Sequence, residues 1–255
     1  MTEEEKNAEL RAYLELWAYR KFRKAMNQSI NPLLNSLKES NSIGFTYALQ
    51  AMLYDPMPID NAITEFYEFA WWSQSSAFVR WANTNYNAGL SDRDPIVIRE
   101  FNAYYNSIGV EHSKIINDTS RRRIDEAFQQ AFANDETVEE FQKRLVQEVQ
   151  MNKSRARIIS RTESVMLLNR VMIEQAKLLP FEVNKVWVHD HPLTPRNWHL
   201  ALSGTKKPLM IPFDVGGIPM QYPGDPAGGA KNNINCKCTT IIKAKLDEEN
   251  NIIYK

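Results

Sequence analysis

The chain is poor in cysteine and has no excess of charge of either sign. Two of its 255 residues are cysteines, which excludes a framework of disulfide bonds and favours a reducing compartment such as a cytosol. Lys plus Arg and Asp plus Glu each number 31, so nucleic acid could be attracted only by a local patch. Apolar stretches are far shorter than a membrane span, and the N-terminal MTEEEKNAEL lacks the apolar core of a signal peptide. We therefore expect a globular protein that needs no membrane.

Glycine is scarce over most of the chain and then becomes frequent. Residues 1–178 contain only Gly44, Gly89 and Gly109, whereas the remaining glycines and most of the prolines lie after residue 178. Glycine and proline mark turns, so the sequence predicts a helical N-terminal region and a turn-rich C-terminal region that meet near Pro180. The fold class that follows is α+β, with a small C-terminal domain of short strands.

Several elements can be placed from the pattern. An aromatic-rich helix is predicted over 61–88, a short helix after the turn at 133–141, and a long helix over 152–178. Asn31 and Pro32 are typical of a helix start. Strands are predicted over 183–189 and 235–246, and the segment TPRNWHLALSG between them should form a short helix or ordered turn.

The C-terminal region concentrates side chains that could bind a metal. His189, His191 and His199 lie close together in sequence, and Cys236 and Cys238 follow. On a strand, residues i and i+2 face the same side, so both sulfurs would point to one site, where zinc is the metal such donors suit. The C-x-C spacing differs from the usual C-x2-C knuckle. Two interpretations stay open, a zinc site or two buried cysteines that pack as small apolar side chains.

A basic stripe precedes this region. Lys153, Arg157 and Arg161 recur every four residues and would share one face of the predicted helix. Such a stripe can contact DNA phosphates. It can also be a solvated helix face, and Arg161 with Glu163 could instead anchor the helix to the C-terminal domain.

A catalytic interpretation has weaker support. His199 with Asp190 and Arg196 would suit acid–base chemistry in a nuclease-like enzyme or a toxin-type domain. However, the sequence has no G-x-S-x-G, no glycine-rich phosphate loop and no H-E-x-x-H. We therefore expect a protein that is not an enzyme.

Five motifs occur in an order that resembles one known family. They are the helix core R-T-E, a tryptophan that opens the C-terminal domain, an arginine and a histidine before a glycine, the closing P-G-D-P, and N-C-K-C. Over residues 117–241 the chain resembles the phage Mu F-like minor head proteins, also called phage head morphogenesis proteins. The residues that carry this resemblance are Arg161, Thr162, Glu163, Trp187, Arg196, His199, Gly204, Pro223, Gly224, Asp225, Pro226, Asn235, Cys236 and Cys238.

The chain also departs from the family pattern. Pro192 stands where the family usually has an aspartate, Thr194 replaces the first arginine of its D-x-R-T-R pattern, and Lys237 replaces the arginine between the cysteines. These changes weaken a fixed Asp–Arg–His ligand or catalytic set and leave the scaffold assignment intact.

The resemblance implies a low-copy structural component of a tailed-phage head. Such a protein would associate with the portal protein inside the virion after assembly in the host cytoplasm, and it would act in head assembly and DNA ejection. Packaged double-stranded DNA and the scaffold or major capsid protein are further expected partners. In this interpretation residues 1–116 are a helical docking arm, 117–180 lead into the family module, and 181–255 form the small α+β domain.

Overall fold

The computed structural model describes residues 3–190 and 195–255, with the side chains of 5–145, 147, 153–190 and 195–255. In chain order the elements are α1 (Glu3–Ser40), α2 (Ile43–Leu53), α3 (Met57–Tyr86), α4 (Pro95–Tyr104), a π-helical turn (Tyr105–Gly109), α5 (Val110–Ala133), α6 (Val138–Lys177), β1 (Val183–Val188), α7 (Asn197–Ala201), β2 (Lys206–Pro208), β3 (Phe213–Asp214), β4 (Pro219–Met220), a 3-10 turn (Pro226–Gly228), α8 (Gly229–Asn233) and β5 (Thr239–Ala244). Long helices precede short antiparallel strands, which confirms the predicted α+β class. No helix in the described ranges is long and apolar enough to cross a membrane.

The chain forms two compact units, each assembled from segments that are distant in sequence. Unit 1 comprises the described residues of Met1–Leu16, Tyr67–Ala103 and Ile158–Lys255, and unit 2 comprises Trp17–Phe66 and Tyr104–Arg157. The division of the chain into a docking arm, a connecting segment and a C-terminal domain, at residues 116 and 180, stays a prediction. The boundaries between the two compact units lie at other positions.

Unit 2 is helical, and its core explains one departure from the predicted helix boundaries. The core side chains are Ile30, Leu33, Leu37, Tyr54, Ile124, Ala127, Phe128, Ala131, Phe141 and Leu145. The expectation that a helix begins at Pro32 was wrong, because α1 runs from Glu3 to Ser40 with Pro32 inside it. Proline removes one backbone hydrogen bond, but Ile30, Leu33 and Leu37 are buried on both sides of it and hold the helix in the core.

Helix α6 is a single helix where the sequence predicted a short one and a separate long one. It begins with a capping box, in which the backbone N–H of Thr137 donates to Oε2 of Glu140 (2.9 Å) and the N–H of Glu140 donates to Oγ1 of Thr137 (3.3 Å). The turn and cap predicted at 133–141 are therefore present. Residues 141–152 contain no glycine or proline, so no residue interrupts the helix before Lys177.

Unit 1 contains the strands. β1 lies between β2 and β5, antiparallel to both, with Val183 opposite Ala244 and Val188 opposite Thr239. β3 and β4 form a separate two-stranded pair. The predicted strand over 183–189 corresponds closely to β1. The strand predicted over 235–246 was too long, because β5 begins only at Thr239 and the two cysteines precede it.

The aromatic side chains of α3 are largely core residues. Phe66 is buried in unit 2, and Tyr67, Trp71 and Phe78 are buried in unit 1. The aromatic pattern of this helix is thus explained by packing, and these four rings are not available to a partner.

Candidate metal centre

His199, Cys236 and Cys238 meet in the interior of unit 1. Nδ1 of His199 lies 3.6 Å from Sγ of Cys236 and 3.5 Å from Sγ of Cys238. The three potential ligand atoms all lie within 4.8 Å of one another, and the side chains are only 2–3% exposed. Neither cysteine is in a disulfide bond. The structure therefore brings together three of the side chains that the sequence offered as metal ligands.

The two cysteines reach this site from a turn and not from a strand, which corrects the expected geometry. Helix α8 ends at Asn233, and Asn235 adopts a left-handed conformation with φ of 58°, which redirects the chain. The backbone N–H of Cys238 then donates to Sγ of Cys236 at 3.4 Å. This local bond curls the C-x-C segment and brings both sulfurs to the same side.

The tautomer of His199 follows from its neighbours. Oδ1 of Asn232 accepts from the indole Nε1–H of Trp198 at 2.8 Å, and an indole N–H can only donate, so the Asn232 atom facing it is the oxygen. The same oxygen lies 3.4 Å from Nε2 of His199. An oxygen can only accept, so Nε2 carries the proton. The lone pair of a neutral His199 is therefore on Nδ1, which faces both sulfurs.

The two thiols titrate as a pair. The hydrogen bond with Cys238 lowers the pKa of Cys236 well below its usual value against the opposing effect of burial. The contact with Cys236, together with burial, raises the pKa of Cys238. Cys236 is thus the sulfur that carries negative charge first, with Cys238 as its proton donor.

Apolar side chains surround the cluster. Trp187 is fully buried, and its ring meets the His199 ring edge-on with centroids 5.3 Å apart. Phe213 packs against Trp187 in the same way, and Val165 and Met220 belong to the same core. The ligands also border a cavity of about 260 Å³. The site is therefore dry on one side and reachable by a small ligand on the other.

The remaining histidines predicted as ligands fall into two cases. His189 is buried and lines the same cavity, but its ring nitrogens do not join the cluster formed by His199, Cys236 and Cys238. His191 lies outside the described residues, as do Pro192 and Thr194.

Asp190 and Arg196, the partners of His199 in the nuclease-like interpretation, are engaged elsewhere. Asp190 accepts from the Arg11 guanidinium at 2.9 Å. Arg196 donates to the backbone carbonyls at residues 231 and 234, at 2.8 and 2.7 Å, and so binds the end of α8. Both side chains position the segments that carry the cluster.

The R-T-E motif of α6 binds the N-C-K-C segment directly. Nη1 of Arg161 donates to Oδ1 of Asn235 at 2.5 Å, and the backbone N–H of Asn235 donates to Oγ1 of Thr162 at 3.0 Å. Arg161 also pairs with Glu15 at 3.5 Å. Glu163 is buried and accepts from the hydroxyl of Tyr67 at 2.7 Å. Arg161 therefore makes a contact of the anchoring kind that was considered for it, whereas the Glu163 carboxylate is bonded to α3 and not to the C-terminal domain.

The P-G-D-P motif packs against the same helix. Gly224 has φ of +83°, and a Cβ placed on it would come within 2.9 Å of the Cα of Met166. Asp225 caps the following 3-10 turn by accepting from the N–H of Ala227 at 3.0 Å, and it also accepts from the N–H of Gln221 at 2.7 Å. At position 224 only glycine permits the backbone of this loop to approach the backbone of α6 at Met166 so closely.

Gly204 has a comparable role after α7. It adopts φ of +80°, and its N–H donates to the carbonyl of Trp187 at 2.8 Å. The glycine of the family signature thus returns the chain from α7 to the sheet.

Two asparagines that sequence reasoning missed complete the site. Asn169 donates to the carbonyls of Val165 (2.8 Å) and Pro223 (2.9 Å) and accepts from the N–H of Thr240 at 2.7 Å. It joins α6, the P-G-D-P loop and β5. A lone amide in the apolar run VMLLNRVMI was the available signal. Asn232, which orients His199, has no comparable signal in its sequence context.

The basic stripe is divided between the units. Lys153 and Arg157 belong to unit 2 and are exposed, and the Arg157 guanidinium lies 5.6 Å from the Tyr19 ring centroid. Arg161 belongs to unit 1 and makes the contacts described above. The DNA-binding prediction therefore concerns mainly Lys153 and Arg157.

Unit 2 carries further positive charge that the sequence reasoning did not use. Arg121, Arg122 and Arg123 are exposed on α5. Burial lowers the pKa of Arg155 to about 10, and the charges of Arg123 and Arg122 contribute to this shift. Arg155 itself donates to Oγ of Ser120 at 2.8 Å.

The motifs gathered around the cluster lie in a segment that matches a family of phage proteins. Residues 122–241 match the model of the family described as Phage Mu protein F like protein. Over this segment the chain is similar to the Mu F-like family of phage head morphogenesis proteins, and this similarity supports a role in phage head morphogenesis. The match begins close to residue 117, where the resemblance was expected to begin, and ends at the expected residue. No curated protein and no solved structure shows significant similarity to the chain.

Proposed function

We propose that the protein is a non-enzymatic minor component of a tailed-phage head that attaches to the portal protein inside the virion. The family match over residues 122–241 carries this proposal, because this is a structural family of phage heads. Attachment to the portal and a part in DNA ejection go beyond the family assignment and depend on the experiments below.

The geometry of the His199 cluster supports a structural role. A general base or nucleophile that acts on a macromolecule must reach the reacting bond. His199 is 2% exposed, and its Nε2 faces Oδ1 of Asn232. Asp190 is bonded to Arg11, and Arg196 is bonded to backbone carbonyls at the end of α8. These features favour a scaffold over a nuclease-like or toxin-type active site.

The N-terminal region offers a surface suited to a protein partner. Helix α2 is almost entirely apolar, yet Thr46 is its one fully buried residue. Phe45, Ala48 and Met52 are exposed and spaced so that they share one face, with Phe45 55% and Met52 84% exposed. An exposed apolar face of this kind is typical of a protein–protein contact, and we assign it to the portal.

Co-purification with the portal tests the proposal. The unaltered chain should be retained by immobilised portal rings, and Phe45→Lys and Met52→Lys should each weaken retention, because a charge at the centre of an apolar contact is costly. Met210→Lys, which changes an exposed apolar side chain of unit 1, should bind like the unaltered chain. Failure of the unaltered chain to bind the portal contradicts attachment, whereas normal binding by both α2 variants contradicts the assigned surface alone.

A nuclease assay tests the rival class. The chain should leave double-stranded DNA and RNA intact with and without divalent metal ions. Cleavage that disappears in His199→Ala would overturn the non-enzymatic proposal.

A further inference from the structure

We propose that His199, Cys236 and Cys238 bind a zinc ion through three protein ligands, with the fourth position open to the adjoining cavity. The proposal is independent of portal attachment. It concerns what holds the C-terminal part of unit 1 together. It rests on the positions of the donor atoms, on the groups that orient them and on where the ligands lie in the chain.

The distances are those that a tetrahedral zinc ion requires. With Zn–S of about 2.3 Å and Zn–N of about 2.0–2.1 Å, a tetrahedral angle places nitrogen and sulfur about 3.5 Å apart. The observed separations between Nδ1 of His199 and the two sulfurs are 3.6 and 3.5 Å. Both nitrogen–sulfur separations therefore match a tetrahedral zinc site, and the two sulfurs lie within 4.8 Å of each other.

Hydrogen bonding alone accounts less well for this arrangement. In a hydrogen-bonded chain, Cys238 would donate to Cys236 and Cys236 to the lone pair on Nδ1 of a neutral His199, so only Cys236 would need to lie near that nitrogen. Here two sulfurs lie at nearly equal distances from that nitrogen, and all three groups are buried. A cation between them would satisfy the nitrogen and both sulfurs at once, with the sulfurs as thiolates.

The groups behind the ligands are also those of a metal site. Metal-binding histidines usually donate their other ring N–H to an oxygen, and Oδ1 of Asn232 stands 3.4 Å from Nε2 of His199. A backbone N–H that donates to a thiolate stabilises its negative charge, and the N–H of Cys238 does so for Sγ of Cys236 at 3.4 Å. The first interaction favours a neutral His199 with its lone pair on Nδ1, and the second favours the thiolate of Cys236. These are the forms that bind a metal ion.

The site lies where a bound ion would cross-link two segments of the C-terminal region that few regular elements hold together. His199 is on α7, which follows β1, whereas the cysteines precede β5, so a bound ion would join two segments that are otherwise turn-rich. Metal binding contributes to folding when the site exists only in the folded state. Zinc binding should therefore stabilise this part of unit 1.

Metal analysis of the full chain tests the proposal directly. Protein produced with added zinc should contain close to one zinc ion per chain, and cobalt replacement should give the absorption of tetrahedral cobalt bound to thiolates. A strong chelator should lower the melting temperature and make both thiols reactive, and added zinc should reverse both effects. Absence of zinc after reconstitution, with an unchanged melting temperature in chelator, would overturn the proposal and leave the cysteines as packing residues.

Ligand variants test the assignment of each residue. Cys236→Ser, Cys238→Ser and His199→Gln should each lose the metal, while His189→Gln, a change in the wall of the same cavity, should retain it. If a ligand variant does not fold, the chelator and thiol measurements on the unaltered chain still decide the question. Loss of zinc in His189→Gln would overturn the three-ligand assignment.

Discussion

Arg161 on α6 donates to Oδ1 of Asn235, which lies 74 positions later in the chain, at 2.5 Å. The bond joins the R-T-E motif to the N-C-K-C motif, and Thr162 reinforces it by accepting from the Asn235 N–H. Two of the sequence motifs that define the family region are thus parts of one contact. That contact fixes the turn that presents Cys236 and Cys238.

Replacing Asn235 should loosen this turn. Asn235→Ala removes the acceptor for Arg161. It also places alanine, which tolerates the left-handed region less well than asparagine, at φ of 58°. Together these effects should lower the free energy of unfolding by about 2 kcal/mol. The matched control is Asn250→Ala at an exposed site with φ of 65°, which should cost about 1 kcal/mol because only the backbone preference changes. Chemical denaturation measures both. Equal losses would show that the Arg161 bond contributes nothing.

Gly224 should tolerate no side chain. In Gly224→Ala the new Cβ would meet the Cα of Met166 at 2.9 Å, and backbone atoms cannot move aside cheaply, so we expect a loss above about 3 kcal/mol. Gly217→Ala provides a control with a similar φ of +86° and open space around it, and it should cost only about 1–2 kcal/mol. Thermal or denaturant unfolding distinguishes them. Similar losses for the two would contradict the role given to the contact with Met166.

The sequence predicted those features that depend on local pattern. The scarcity of glycine before residue 178 predicted the helical region, and the residues around Trp187 predicted β1 almost to its ends. The convergence of His199 with the cysteines was also predicted, although from a strand geometry that the structure does not have. Asn235 in a left-handed conformation replaces that strand with a turn.

Features that depend on distant residues could not be predicted from pattern. Asn169 acts through groups at residues 223 and 240, and Asn232 acts through two side chains more than thirty positions earlier. Ile158 and Val165 stand seven positions apart on α6 and share a face at helical spacing, yet Ile158 is 40% exposed and Val165 is 1% exposed. A helical period defines relative positions around a helix, but which side is covered depends on the elements that pack against it.

Asn232 should determine metal affinity without being a ligand. Asn232→Ala removes the oxygen that receives the Nε2 proton of His199, so zinc affinity should fall about 10–100-fold while the stoichiometry of binding is unchanged. Competition with a chelating dye measures the affinity. Asn233→Ala changes the neighbouring buried asparagine, whose side chain donates to the carbonyl of Asp225, and it should affect affinity less. An equal effect of both would indicate a general loss of packing.

Lys153 and Arg157 should give sequence-independent DNA binding that weakens steeply with salt. Each phosphate neutralised contributes roughly 0.9 to the slope of log affinity against log salt, so Lys153→Ala with Arg157→Ala should reduce the slope by up to about 2. Lys206→Ala with Lys207→Ala in unit 1 removes the same charge elsewhere and should leave the slope unchanged. Binding to labelled DNA at several salt concentrations gives the slopes. An unchanged slope in the first variant would assign these residues to solvent or protein contacts.

Lys185 on β1 should make stability depend on pH in the alkaline range. Its side chain is fully buried, with Nζ 2.7 Å from Oε1 of Gln221, and burial lowers its pKa to about 8. Below about pH 8 both the folded and the unfolded chain hold the proton, and the folded chain bears the cost of the buried charge. Between about pH 8 and the usual lysine pKa of about 10.4, only the unfolded chain still holds it, so this residue increases stability as the pH rises.

Lys185→Met should therefore stabilise the protein near neutral pH and remove that increase. The expected gain at pH 7 is roughly 1–3 kcal/mol, because a neutral side chain of similar length has no charge to desolvate. Denaturation at a series of pH values should show the difference in unfolding free energy between variant and unaltered chain shrinking from pH 8 upward. Lys243→Met, an exposed change on β5, should reproduce the pH profile of the unaltered chain. A constant difference between Lys185→Met and the unaltered chain across this range would mean that Lys185 keeps its proton in the folded protein.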